Sequence, residues 1–150
     1  MSQPDTDLHE ITFERVYQAP RELVFECMTT PEHLTHFWGP PGMSTPIENI
    51  TIDLRVGGAF DTTMVNDETG EQFANLAEYV EIDPPARLAF REKGNAEGMT
   101  TTIDFIDQGD GTTLTITHQI NVPAMFASPE AQAGMRSSFD RFDGYLAALG

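Results

Sequence analysis

His118, Tyr79 and Glu81 are the side chains whose types suit proton transfer or polar recognition, and each stands in an alternating run. An imidazole exchanges a proton near neutrality and can act as general acid or base. Counting by two along 113–120 puts His118 on one face with Leu114, Ile116 and Ile120. If that face lines a cavity, the ring can donate to, accept from or transfer a proton with a ligand. Tyr79 shares a face with Glu81, Ala77 and Asn75 while Ile82 falls on the other, so the apolar pattern changes face within one strand and predicts a β-bulge. Tyr79 would then be a cavity hydroxyl with Glu81 as its acidic neighbour. The competing readings are structural: a core histidine bonded to a neighbour, and packing for the other two.

Other constellations carry less. His33 and His36 lie three apart on a helix, but no third ligand stands at a telling spacing, and Glu32 points about 100° away from His33. They read as solvated helix histidines, and no metal is expected. Asp104, Asp107 and Asp110 lack the Gly and Glu positions of a calcium loop and read as a hairpin turn. Gly57-Gly58 joins two strands with no helix or lysine after it, which suits a bend and not a phosphate loop. Cys27, among Leu23, Val24 and Met28, is a small core residue. No Ser-His-Asp or Cys-His order, dinucleotide fingerprint or zinc spacing appears, so neither a catalytic residue nor a cofactor is assigned.

The elements that must position these groups follow from pattern and punctuation. A first strand runs from His9 to Gln18. Pro20 and Pro31 each open a short helix at its first position, with Thr30 as a hydroxyl N-cap. The second helix runs into Phe37-Trp38 and stops at Gly39-Pro40-Pro41-Gly42. Six strands follow, over 47–56, 59–65, 71–82, 87–92, 99–106 and 113–120, joined mostly by turns too short for parallel crossovers. Ser128-Pro129-Glu130 then starts a helix of about twenty residues, some 30 Å long, whose stripe is Met135, Phe139, Phe142, Leu146 and Leu149. The order β-αα-β6-α predicts an α+β fold: a curved antiparallel seven-stranded sheet wrapped around the C-terminal helix. One helix cannot fill that concavity, so an interior cavity is expected. Its lining would be Phe60, Met64, Tyr79, Phe105, His118, Met135, Phe139 and Phe142, with Trp38 near the opening.

The chain has 150 residues, enough for one domain with its own core, here 9–150 behind a flexible segment 1–8. No long apolar run suggests a membrane span, and the polar start does not read as a signal peptide. A single cysteine excludes an internal disulfide and fits a reducing, cytoplasmic compartment. The 24 acids against 8 bases give a net charge of −16, which repels nucleic acid and anionic membrane.

Arg15, Ala19-Pro20, Leu23-Val24-Phe25, Thr30-Pro31-Glu32-His33-Leu34 and Trp38-Gly39-Pro40-Pro41-Gly42 resemble a known pattern. It continues through Asp53-Leu54-Arg55-Val56-Gly57-Gly58, Glu81 to Leu88, Thr112 to His118, Met135-Arg136 and Leu146. In this order they resemble the START-like or polyketide-cyclase superfamily, in the branch of homologues of the Hsp90 ATPase activator. The resemblance implies the helix-grip fold. Gly134 is followed by Met135 where that branch often has tryptophan, which makes a pocket wall smaller and more adaptable. The leading expectation is a non-catalytic module binding a small, largely apolar molecule, with a link to stress or chaperone function. The alternatives are a cyclase-, aromatase- or lyase-like cavity enzyme using His118, Tyr79 or Glu81, and a surface-acting co-chaperone with a protein partner. Against the co-chaperone stands the expected lack of the second domain of full activators. Monomer and homodimer both fit.

Overall fold

A computed structural model describes residues 8–149. Its elements are β1 (Leu8–Tyr17), α1 (Arg21–Thr29), α2 (Pro31–Leu34), β2 (Met43–Ser44), β3 (Ile50–Ile52), β4 (Ala59–Asn66), β5 (Gln72–Asp83), β6 (Arg87–Glu92), β7 (Thr100–Asp107), β8 (Thr113–Pro123) and α3 (Pro129–Leu149). The strands form one antiparallel sheet of order β1-β8-β7-β6-β5-β4-β2, with β3 also on β4. This is the α+β helix-grip architecture, a curved sheet carrying the long C-terminal helix. Of the segment 1–8 expected to be flexible, 1–7 lie outside the described residues, and Leu8 already pairs with Pro123. No described helix is long and apolar enough to cross a membrane.

The sheet has eight strands where seven were expected, because two residues, Met43–Ser44, pair with the end of β4. The strand expected over 47–56 instead breaks into a 3-10 turn (Ile47–Asn49), the short β3 and a folded loop. That loop closes on itself through Gly58 N to Arg55 O at 2.8 Å and Asp53 N to Ala59 O at 2.8 Å. A Cβ on Gly58 would lie 2.1 Å from the Asp53 carbonyl, so only glycine fits there.

Pro20 occupies the N-cap of α1, one place earlier than expected, in extended conformation (φ −67°, ψ 151°). Thr30 is the N-cap of α2, but its hydroxyl makes no capping bond; its carbonyl accepts from His33 and Leu34 at 3.0 and 2.9 Å. α2 lasts one turn, and tighter bonds such as Phe37 N to Leu34 O carry the chain on to Trp38. In α3, Ser128 Oγ accepts from Ala131 N at 3.1 Å, the expected cap. The stripe buries Phe142 and Leu146 and half-buries Met135 and Phe139, but Leu149 is 43% exposed and lies beyond the packed face.

Register defines the face turned to α3. Phe13 pairs with Thr117 and Tyr17 with Thr113. Ile103 and Phe105 pair with Thr117 and Thr115. Leu88 pairs with Ile103, Phe90 with Tyr79, and Phe60 with Ala77. Phe13 meets Phe139 edge-on at 5.4 Å and Tyr17 meets Phe142 at 4.8 Å, which fixes α3 across β1.

Candidate ligand-binding site

Aromatic rings run through the interior in contact. Trp38 meets Phe60 edge-on at 5.4 Å, Phe60 stacks on Tyr79 at 5.5 Å and 11°, and Phe90 closes on Phe60 at 4.8 Å. Phe37 stacks on Phe142 at 4.1 Å and 17°, and Phe25 packs on Phe105 at 5.3 Å. The structure thus brings Trp38, Phe60 and Tyr79 together, with Phe142 against Phe37. Where an open chamber was expected, the rings touch. The count of one helix filling the concavity omitted α1, which sends Phe25 into it, and the turn after α2, which sends Phe37.

Trp38 is pinned, not free at a rim. Its carbonyl accepts from Thr45 Oγ1 at 3.0 Å, and Arg141 Nη1 donates to Gly39, Pro40 and Met43 carbonyls at 3.1, 3.3 and 2.9 Å. Gly39, at φ 96°, sits where a Cβ would meet Met64 Sδ at 2.7 Å, so this bend rests directly on half-buried Met64.

Tyr79 is completely buried and its hydroxyl has no hydrogen-bond partner among the described residues; the Tyr17 hydroxyl is in the same position. Burial pushes both phenols well above the ordinary tyrosine range, so they stay protonated donors. Cys27 is buried in the core as expected, its thiol pushed up to about 11 by burial and then by Glu26.

His118 lies on the opposite face. It does share a face with Leu114, Ile116 and Ile120, but that is the outer face, where its Nε2 pairs with Glu10. The buried set in β8 is Thr113, Thr115, Thr117 and Gln119, with Val122 near its end. Three of the polar side chains are tolerated inside because they are bonded: Thr113 Oγ1 donates to Ala19 O at 2.7 Å, Thr115 Oγ1 to Arg15 O at 3.1 Å, and Gln119 Nε2 to Thr101 Oγ1 at 3.4 Å. The predicted bulge falls between Tyr79 and Glu81. It turns Glu81 outward to Arg87 at 3.7 Å, whose Nε donates to Asp104 at 2.7 Å. Tyr79 and Glu81 therefore do not share a face. An acid–base reading on His118, Tyr79 and Glu81 loses two groups to the outer surface and keeps a phenol that burial holds neutral.

His33 is half-buried and His36 exposed, and both contact Tyr145. His33 Nδ1 lies 2.6 Å from the Tyr145 hydroxyl, and His36 stacks on Tyr145 at 5.2 Å and 14°. Asp107 and Asp110 accept from Gly109 N at 2.8 Å and Thr112 N at 3.2 Å, which makes the hairpin turn as read. No cluster of three His, Cys, Asp or Glu among the described residues is arranged to hold a metal.

Concave space lies at the seam between α3 and β1. A cleft of about 340 Å³ is lined by Thr12, Phe13, Glu14, Arg15, Arg136, Phe139 and Asp140. Arg15 donates to Asp140 at 2.7 Å and Asp143 at 3.2 Å, tying the edge strand to the helix. The Arg136 guanidinium lies 5.7 Å over the Phe13 ring. Of the residues expected to line a cavity, Phe139 alone borders this cleft. Phe13, Arg15 and Arg136 were missed as a site, although the alternation Phe13-Arg15-Tyr17 marks one face of β1. A second cleft, about 360 Å³, lies at β5 and β6 beside Asn75, Leu76, Glu92 and Lys93.

The same fold recurs in solved structures. A protein from Nitrosomonas europaea matches with TM-score 0.82 at 21% identity, over 93% of this chain and 95% of that one. One from Chromobacterium violaceum matches with TM-score 0.78 at 26% identity, over 91% and 96%. The AHSA1-like protein from Aeromonas hydrophila matches with TM-score 0.80 at 21% identity, over 95% and 94%. No curated protein matches the chain. The family model described as activator of Hsp90 ATPase homolog 1-like protein matches residues 18–147, from just after β1 nearly to the end of α3, and the chain belongs to that family.

Proposed function

We propose that the protein is a non-catalytic module that binds a small, largely apolar molecule at the seam between α3 and β1. The observation that carries this is the cleft of about 340 Å³ walled by the rings of Phe13 and Phe139. Its volume falls in the range of about 300–1,000 Å³ that small-molecule sites occupy, and the two rings stand among the polar and charged side chains of Thr12, Glu14, Arg15, Arg136 and Asp140. The unpartnered Tyr17 hydroxyl on the same strand offers a deeper donor if the rings part. The acidic surface argues against nucleic acid and anionic membrane as partners, and one buried, neutral cysteine suits work in the cytoplasm.

Thermal unfolding with a panel of medium-chain alcohols tests the reading. A ligand at a hundred times its Kd stabilises the folded state by about 2.7 kcal/mol. Phe139→Trp, which fills the cleft, should abolish the shift. A panel without effect on either protein, together with native mass spectra free of any co-purified small molecule, would remove the reading.

A second reading, docking to a protein partner, draws on the outer sheet face. Val16 (43% exposed) and Ile106 (39% exposed) flank Leu114 across three strands. If this is the working surface, Ile106→Asp should abolish stimulation of an Hsp90-type ATPase and leave alcohol binding intact.

A further inference from the structure

The cleft at the α3–β1 seam contains an unspent positive charge. Acids outnumber bases 24 to 8 in this chain, so a cation without an acidic partner is unexpected. Arg15, Arg55, Arg87, Arg91 and Lys93 each pair with a carboxylate. Arg21 and Arg141 donate to backbone carbonyls. Arg136 alone, among the described residues, has neither, and its guanidinium lies 5.7 Å over the ring of Phe13. A guanidinium laid on a ring keeps its edge free, and that edge matches the two oxygens of a carboxylate in a bidentate fork.

Its surroundings limit what else it can serve. Of the two acids that line the cleft, Asp140 already accepts from Arg15, and Glu14 makes no ion pair with Arg136. Phe13 and Phe139 meet edge-on at 5.4 Å beneath it and form an apolar floor. A charged rim over such a floor is complementary to a molecule with an anionic end and an apolar body. The surface elsewhere is strongly negative, so a carboxylate is attracted only where a local cation outweighs the general field.

We infer that the ligand of this cleft is a small amphipathic carboxylic acid, whose carboxylate pairs with Arg136 and whose apolar body lies along Phe13 and Phe139. This rests on the binding reading above and adds the chemical class of its ligand. The carboxylate head stays at the solvent edge, where it loses little hydration, and the tail displaces water from the rings.

Isothermal titration with decanoate and decanol, two probes of one chain length, separates the two claims. The wild type should bind decanoate at least tenfold more tightly than decanol, and added salt should narrow the gap. Arg136→Gln should bring decanoate down to the affinity of decanol, while Arg136→Lys should restore part of the preference. Equal affinities in the wild type would overturn the carboxylate inference and leave the binding reading standing. A decanoate preference that survives Arg136→Gln would also overturn it, by showing that another group reads the head. Failure of both probes to bind would overturn both.

Discussion

The Arg141 guanidinium donates to the carbonyl of Met43 at 2.9 Å, and the same nitrogen reaches the Gly39 and Pro40 carbonyls. α3 thereby holds the proline-rich bend that carries Trp38. Arg141→Met keeps the stem and removes the donors. It should lower stability by about 1.5–3 kcal/mol, the scale of hydrogen bonds to a charged group, and red-shift the emission of Trp38. Unchanged denaturant unfolding together with unchanged emission would show that the bend holds without the arginine.

Phe142 is 2% exposed, stacked on Phe37 and tilted against Tyr17. Phe142→Ala should cost about 3–5 kcal/mol, as large core truncations do. Leu149→Ala, beyond the packed part of the same helix, should stay within about 0.5 kcal/mol. Similar losses at the two positions would refute the placement of α3.

Tyr79 buries a hydroxyl without a partner among the described residues. Leaving such a group unsatisfied costs about 1–3 kcal/mol, so Tyr79→Phe should be neutral or stabilising, seen as an equal or higher Tm. A clear loss of stability would mean that the hydroxyl has a partner, such as an internal water.

Alkaline pH should destabilise the protein. The unfolded chain releases the Cys27 proton near the ordinary thiol value of 9.0, whereas the folded chain holds it until about 11. Stability is therefore intact below pH 9 and falls as pH rises through 11, because the unfolded state binds fewer protons there. Tyr17 and Tyr79, raised by burial from 10.0, extend the loss above pH 10. Tm should fall across this window, and Cys27→Ala should flatten its first part.

The outer placement of His118 also has a direct check. His118→Ala removes only the pairing with Glu10 and should cost less than about 1 kcal/mol, as exposed ion pairs do. Binding at the α3–β1 seam should be unchanged. Loss of ligand affinity in this variant would put the imidazole back in a site.

Much of the architecture was legible because its signals are local. Pro31, the Ser128-Pro129-Glu130 start, the Phe142–Leu146 stripe and the turns around Gly109 and Gly111 each act within a few residues. The bulge at Tyr79–Glu81 could be read from the change of apolar face. Two non-local facts decided the rest. In β8 both faces look buryable, and only the hydrogen bonds of Thr113 and Thr115 to β1 and its exit reveal which one is inside. The seam cleft joins Phe13 to Phe139 and Arg136, residues brought together by α3 lying across an edge strand, and no spacing in the chain announces that crossing.

The bond from Thr115 to the Arg15 carbonyl spans 100 residues. Growing at about 5–20 residues per second, a nascent chain needs on the order of 5–20 seconds between making β1 and making β8, its neighbour in the sheet among the described residues. Throughout that interval β1 is an unpaired edge displaying Phe13 and Tyr17 to whatever else the ribosome exit holds. An unfinished copy therefore exposes two rings that the finished one buries.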